Sequence, residues 1–241
     1  MNHVSSEIHL FTKNLWKLEN RDLVKMMPVL VELELLPNQT QALAADGKPY
    51  NSLCFVNQEK GISIKFLHDR ILSSVTRLQM QDCTIESHSE IIDNLIEQTK
   101  SAIKVAFDSK GSVDFNRVSL VSKFYEIEKY SEFMRLFSNN LKPASPWMKS
   151  DLKEFSYRTC EEIEISEGEK VNKIAMFDVG VVEYNVNGNS NINDCISLQL
   201  DLNTIPENNS LRFDLNRSIV KVREMKEEVN SLYSDILPLF S

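Results

Sequence analysis

The sequence predicts an α+β fold: antiparallel sheets with helices packed on one face, in two similar strand-strand-strand-helix halves. Three observations predict it. First, Ile62, Ile64 and Phe66 alternate with Ser63 and Lys65, and Ile196, Leu198, Leu200 and Leu202 alternate with Ser197, Gln199 and Asp201. An apolar residue at every second position marks a strand with one buried and one wet face. Second, each run is followed by apolar residues spaced in threes and fours, as in Ile219, Val222, Met225, Val229, Leu232 and Ile236, the stripe of an amphipathic helix. Third, strands and helices do not alternate through glycine-rich turns, which argues against a doubly wound nucleotide fold.

The elements follow in order. Residues 7–18 have no clean period and read as a strand or a short helix. Residues 20–27 read as one or two helical turns stopped by Pro28, because proline disfavours helical backbone in the residue before it. Val31, Leu33 and Leu35 alternate with Glu32 and Glu34, so 29–36 is expected to be a half-buried strand and 37–50 a polar loop. Residues 53–57 and 61–67 make a hairpin around Gln58-Glu59-Lys60-Gly61, and 71–80 a further strand. Ser89 is the expected N-cap of a long helix with the stripe Ile91, Ile92, Leu95, Ile96, Ala102, Ile103 and Ala106. Residues 113–127 read as a strand, and Tyr130, Phe133, Met134, Phe137 and Leu141 mark a shorter helix. Pro143 and Pro146 make 142–150 a linker between an N-terminal half, 1–142, and a C-terminal half, 151–241, within two domains or one continuous one. Residues 155–165 and 171–186 read as long strands, and 185–194, with asparagine at alternate positions, as a loop. Leu211, Phe213 and Leu215 repeat the strand pattern before the last helix, which stops near Pro238.

Composition narrows the function. With 42% hydrophobic and 26% charged residues, a chain of 241 residues can bury a sizeable core. A net charge of −8 argues against nucleic acid as partner, since such affinity comes from Lys and Arg neutralising phosphates. Cys54, Cys83, Cys160 and Cys195 show no CxxC spacing and read as free thiols in a reducing compartment. Neither a signal-peptide pattern nor an apolar run of about 20 residues is present, so a cytoplasmic protein away from membranes is expected.

No Walker loop, GxGxxG, GxSxG or HExxH occurs, so neither a catalytic residue nor a cofactor is assigned. Two acidic groupings could hold a cation. Glu86, His88 and Glu90 would share one side of a strand, although helix-start geometry would splay them apart. Asp201 and Asp214, in the echoed Asp-Leu-Asn triplets, would share the polar phase of a hairpin. Glu161, Glu162 and Glu164 form the densest acidic run and could face a basic partner or guard a strand edge. Trp147, in the linker, could anchor an interface. The seam Met225, Val229 and Leu232 could be core or a dimer face.

The order of segments resembles a sporadically distributed bacterial family of uncharacterised proteins. The matching pieces are Val31-Glu32-Leu33, the run from Ile64 to Arg70, Arg117-Val118-Ser119-Leu120, Leu200-Asp201-Leu202 and the run from Leu232 to Ile236. The first thirty residues and the detail of 155–186 depart from it. The resemblance implies a bacterial genome, often with mobile-element or defence genes nearby, and carries no catalytic residues. The repeated halves also resemble the export chaperone SecB in layout. The expected function is therefore a non-enzymatic accessory or regulator that binds another protein, encoded by a neighbouring gene or a second copy, in antiphage defence or a toxin–antitoxin pair. The alternatives are a metal-dependent hydrolase or nuclease and a SecB-like chaperone module.

Overall fold

The computed structural model describes residues 1–13, 20–43, 47–76, 83–107, 113–141, 154–186, 189–207 and 210–240. Its elements run β1 (Asn2–Phe11), α1 (Asn20–Glu32), β2 (Leu36–Leu43), β3 (Pro49–Asn57), β4 (Ile62–Phe66), β5 (Arg70–Thr76), α2 (Ile85–Phe107), β6 (Arg117–Glu126), α3 (Tyr130–Leu141), β7 (Ser156–Ile165), β8 (Glu169–Val186), β9 (Asn189–Thr204) and α4 (Leu215–Ile236). The strands form one nine-stranded sheet in the order β2-β3-β4-β5-β1-β6-β9-β8-β7, with antiparallel neighbours throughout. The order repeats: β1 and β6 pair at the middle, and each set then runs outward from its last strand to its first hairpin. Strand, short helix, strands and long helix thus occur twice, from β1 to α2 and from β6 to α4. The seam of this repeat falls between α2 and β6, whereas the expected halves 1–142 and 151–241 would split the second copy.

Alternation decides which face is dry. Ile8 and Leu10 of β1, Leu120 and Phe124 of β6, and Leu198, Leu200 and Leu202 of β9 are all within 1% of full burial. They meet Ile92, Leu95 and Ile96 of α2 and Val222, Met225, Val229 and Tyr233 of α4, all 0% exposed. Each such side chain contributes about 1.5–3 kcal/mol by leaving water. Among the described residues no helix is long and apolar enough to cross a membrane.

Several local expectations give way to longer-range forces. α1 continues through Pro28 to Glu32, because Met26 and Leu30, four apart, are buried while Pro28 is exposed and water can take the bond it cannot make. The helix then closes on Glu34, at φ 57°, with Leu35 N–H donating to the Leu30 carbonyl and Glu34 N–H to that of Val31. The expected loop after it is the edge strand β2, where Pro37 is tolerated. α2 is capped by Thr84, not Ser89: Ser87 N–H donates to Thr84 Oγ1 and Thr84 N–H to Ser87 Oγ, a reciprocal box. Residues 189–194 are strand, not loop, since β8 and β9 pair out to Val186 and Asn189. Leu211 and Phe213 form no strand beyond a single bridge from Phe213 to Phe115, because α4 starts at Leu215 under the Asp214 cap. The 142–150 linker lies outside the described residues.

Candidate functional site

The proposed cation ligands do not converge. α2 turns about 100° per residue, so positions two apart point in nearly opposite directions. His88 is 0% exposed in the core while Glu86 and Glu90 are exposed. Its own backbone amide and the Thr84 hydroxyl hold the Glu86 carboxyl below its ordinary value, a helix-start role. Asp214 accepts from Arg217 N–H at 2.8 Å as the cap of α4. Asp201 lies on the sheet, accepting from Ser119 Oγ and Asn203 Nδ2. Among the described residues no group of three His, Cys, Asp or Glu is placed to hold a metal ion.

The partner-binding candidates divide. Met225 and Val229 are 0% exposed and belong to the core, so they cannot form a surface seam; Leu232 is half-buried at its margin. Glu161, Glu162 and Glu164 are exposed on the edge strand β7, with Glu162 paired to Lys170 at 2.7 Å. The acids that follow are used internally: Glu167 pairs with Arg217 and Glu169 with Arg212. Trp147 lies outside the described residues.

A constellation that spacing does not reveal lies beneath the middle of the sheet. Ser122 Oγ of β6 is 3.0 Å from His88 Nε2, and His88 Nδ1 is 2.8 Å from Asn230 Oδ1 of α4. Ser122 Oγ also meets Ser6 Oγ of β1 at 2.8 Å, and Ser6 in turn meets His3 Nε2 at 2.8 Å. Serine, histidine and amide in series have the layout of a nucleophile, its base and an orienting group. Yet Ser6, His88 and Ser122 are 0% exposed, with Phe124 stacked on Tyr233 at 4.4 Å beside them. No substrate reaches a serine sealed in this way. The chain instead pins both long helices to the central strand pair, since buried polar groups must be bonded and so fix register.

The other face of the sheet carries no helix among the described residues, and it is the candidate site. Its residues are the other phase of the same strands, mostly polar, with Ser119, Val121, Ile174 and Asn203 themselves buried. Register places Leu72, His9, Ser119, Asn203 and Asn172 in one row, and Ser74, Glu7, Val121, Asp201 and Ile174 in the next. At the end of β1, Phe11 pairs with Arg70 of β5 on one side and Arg117 of β6 on the other. Both guanidinium groups lie over its ring, at 5.4 and 4.9 Å from the centroid, and the His9 ring stacks on it at 5.8 Å. Lys65 lies across β5 from this group, and Lys123 lies further along β6. Two carboxylates share one row of this face, Asp201 of β9 and Glu7 of β1. A hydrogen bond from His9 draws the Glu7 carboxyl below the ordinary value, against the opposing cost of burial, with further help from Lys123 and Lys65.

A wet face on an antiparallel sheet is ordinary. The charge distribution on this one is less so. In a chain of net charge −8, Arg70 and Arg117 flank one aromatic ring on β1, with Lys65 two strands away on β4 and Lys123 six residues further along β6. None of these residues stands out in sequence, because each strand supplies only one or two cations and pairing alone makes them neighbours. No protein-family model matches the chain, and no curated protein matches its sequence.

Proposed function

We propose that the chain is a non-enzymatic binding protein that receives another protein on the uncovered face of its sheet. The observation that carries this reading is a nine-stranded sheet on which the described helices all pack against one face, while the other bears a cationic and aromatic centre on β5, β1 and β6. The sealed Ser122–His88–Asn230 series and the dispersed carboxylates support a binding role over a hydrolytic one. The expected setting is that of an accessory or regulator in bacterial antiphage defence or a toxin–antitoxin pair. The test is to enlarge small residues on each face and follow a co-purifying protein from the native host. Ser74→Trp with Ser197→Trp on the open face abolishes its recovery, while Ser131→Trp with Ser234→Trp on exposed helix positions leaves it. Equal recovery from both double variants would overturn the proposal.

A further inference from the structure

We infer that Arg70 and Arg117 are a paired receptor for carboxylates, and that the segment they take is an acidic stretch of a partner protein lying across β5, β1 and β6. This rests on the reading of the sheet face as a protein-binding surface and names the chemistry of its occupant.

Four observations carry it. The two arginines project from strands on either side of β1, and with guanidinium carbons 5.4 and 4.9 Å from the Phe11 centroid they stand no more than about 10 Å apart. That spacing suits two acidic side chains two residues apart on an extended segment, which point to the same face about 6.6 Å from one another. Contact with the Phe11 ring restrains both groups, removing much of the entropy a free arginine loses when it binds. Their charge is little compensated. Arg117 donates to the neutral Asn203 Oδ1 at 3.1 Å, and among the described residues Arg70 meets Asp69 Oδ1 at 4.0 Å from its Nε. Each guanidinium carries five N–H donors, and among the described residues Arg117 uses one on Asn203 while Arg70 uses none.

The same cations could meet phosphates, but single-stranded nucleic acid needs open ring faces on which bases stack. Here the Phe11 ring is already covered by two guanidiniums and a histidine. The acidic rest of the chain repels a polyanion whose charge extends past the patch, whereas a short acidic segment confines its charge to it.

The test is fluorescence anisotropy of the full chain with labelled oligoglutamate and, separately, oligothymidylate of equal charge. Oligoglutamate binds, binding weakens with added salt, and Arg70→Gln with Arg117→Gln weakens it at least about tenfold. Arg70→Lys with Arg117→Lys recovers only part of the affinity, because an ammonium lacks the planar fork. Both positions are half-exposed, and an unchanged melting temperature of each variant shows that folding is intact. Tighter binding of oligothymidylate, or oligoglutamate affinity unaffected by the glutamine pair, would overturn the inference. A partner that still depends on the open face in that second case leaves the protein-binding reading standing; loss of both removes both.

Discussion

Ser122→Ala tests the claim that the buried serine–histidine–asparagine series holds the fold together and performs no reaction. The hydroxyl is 0% exposed and bonds Ser6 Oγ at 2.8 Å and His88 Nε2 at 3.0 Å. Each such bond contributes about 1 kcal/mol net, and a buried polar atom deprived of its partner costs about 1–3 kcal/mol. The loss of two bonds at one atom is therefore expected to destabilise the protein by about 2–4 kcal/mol. Urea unfolding followed by circular dichroism reads this as a lower midpoint at unchanged slope. Ser197→Ala on the half-exposed face is the control and should stay within about 0.5 kcal/mol of the parent. Because His88 bridges Ser122 to Asn230, a cycle with Asn230→Ala should show coupling of about 0.5–3 kcal/mol. A serine-directed fluorophosphonate should leave Ser122 unmodified. A cost for Ser122→Ala below about 0.5 kcal/mol, or covalent labelling of Ser122, would refute the reasoning.

Three further outcomes follow from local geometry. Gly61 sits at φ 65°, and a Cβ there would lie 2.1 Å from the Thr76 carbonyl oxygen, so Gly61→Ala should cost more than the roughly 1 kcal/mol of left-handed strain alone, read as a lower melting temperature. Cys160 is exposed while Cys54, Cys83 and Cys195 are buried, and burial raises the thiol pKa of both Cys54 and Cys195. A maleimide should thus label one site quickly in the native protein and all four after denaturation; rapid native labelling of Cys54 would contradict the packing of β3. The Glu7 carboxyl is held below its ordinary value of 4.5, so its stabilising contribution is present above that pH and is lost as pH falls through the lower folded-state value. Glu7→Gln should therefore flatten the acid limb of a stability-against-pH curve, and an unchanged limb would mean that the His9, Lys123 and Lys65 interactions are absent.

Much of the fold is legible from period alone. β4 and β9 follow their alternation, α2 and α4 their stripes, and the turn at Gly61 its residue types. Misreadings occur where two patterns overlap. Val31, Leu33 and Leu35 alternate like a strand, but Met26 and Leu30 share a helical face, and burial of that face decides for helix. Leu211 and Phe213 alternate too, yet the chain must turn there to start α4. The site was far less legible. Glu86 and His88 suggest a ligand pair only if the segment is extended, and Thr84 makes it a helix. Arg70, Phe11 and Arg117 are separated by scores of residues and become neighbours through the central pairing of β1 with β5 and β6. Long-range register of that kind leaves no local signal. The same holds for Ser122, His88 and Asn230, drawn from a strand and two helices.

The account turns on which surface of the sheet is occupied in the cell. A photoreactive amino acid placed singly at the half-exposed Ser5, Ser63, Ser74 and Gln199 on the strand face that carries no described helix, and at the exposed Glu90, Glu132 and Glu227 on the helices, would map this directly. One protein adduct should be shared by the strand positions and be missing from the helix positions. Adducts confined to the helices, with the strands yielding none, would contradict it.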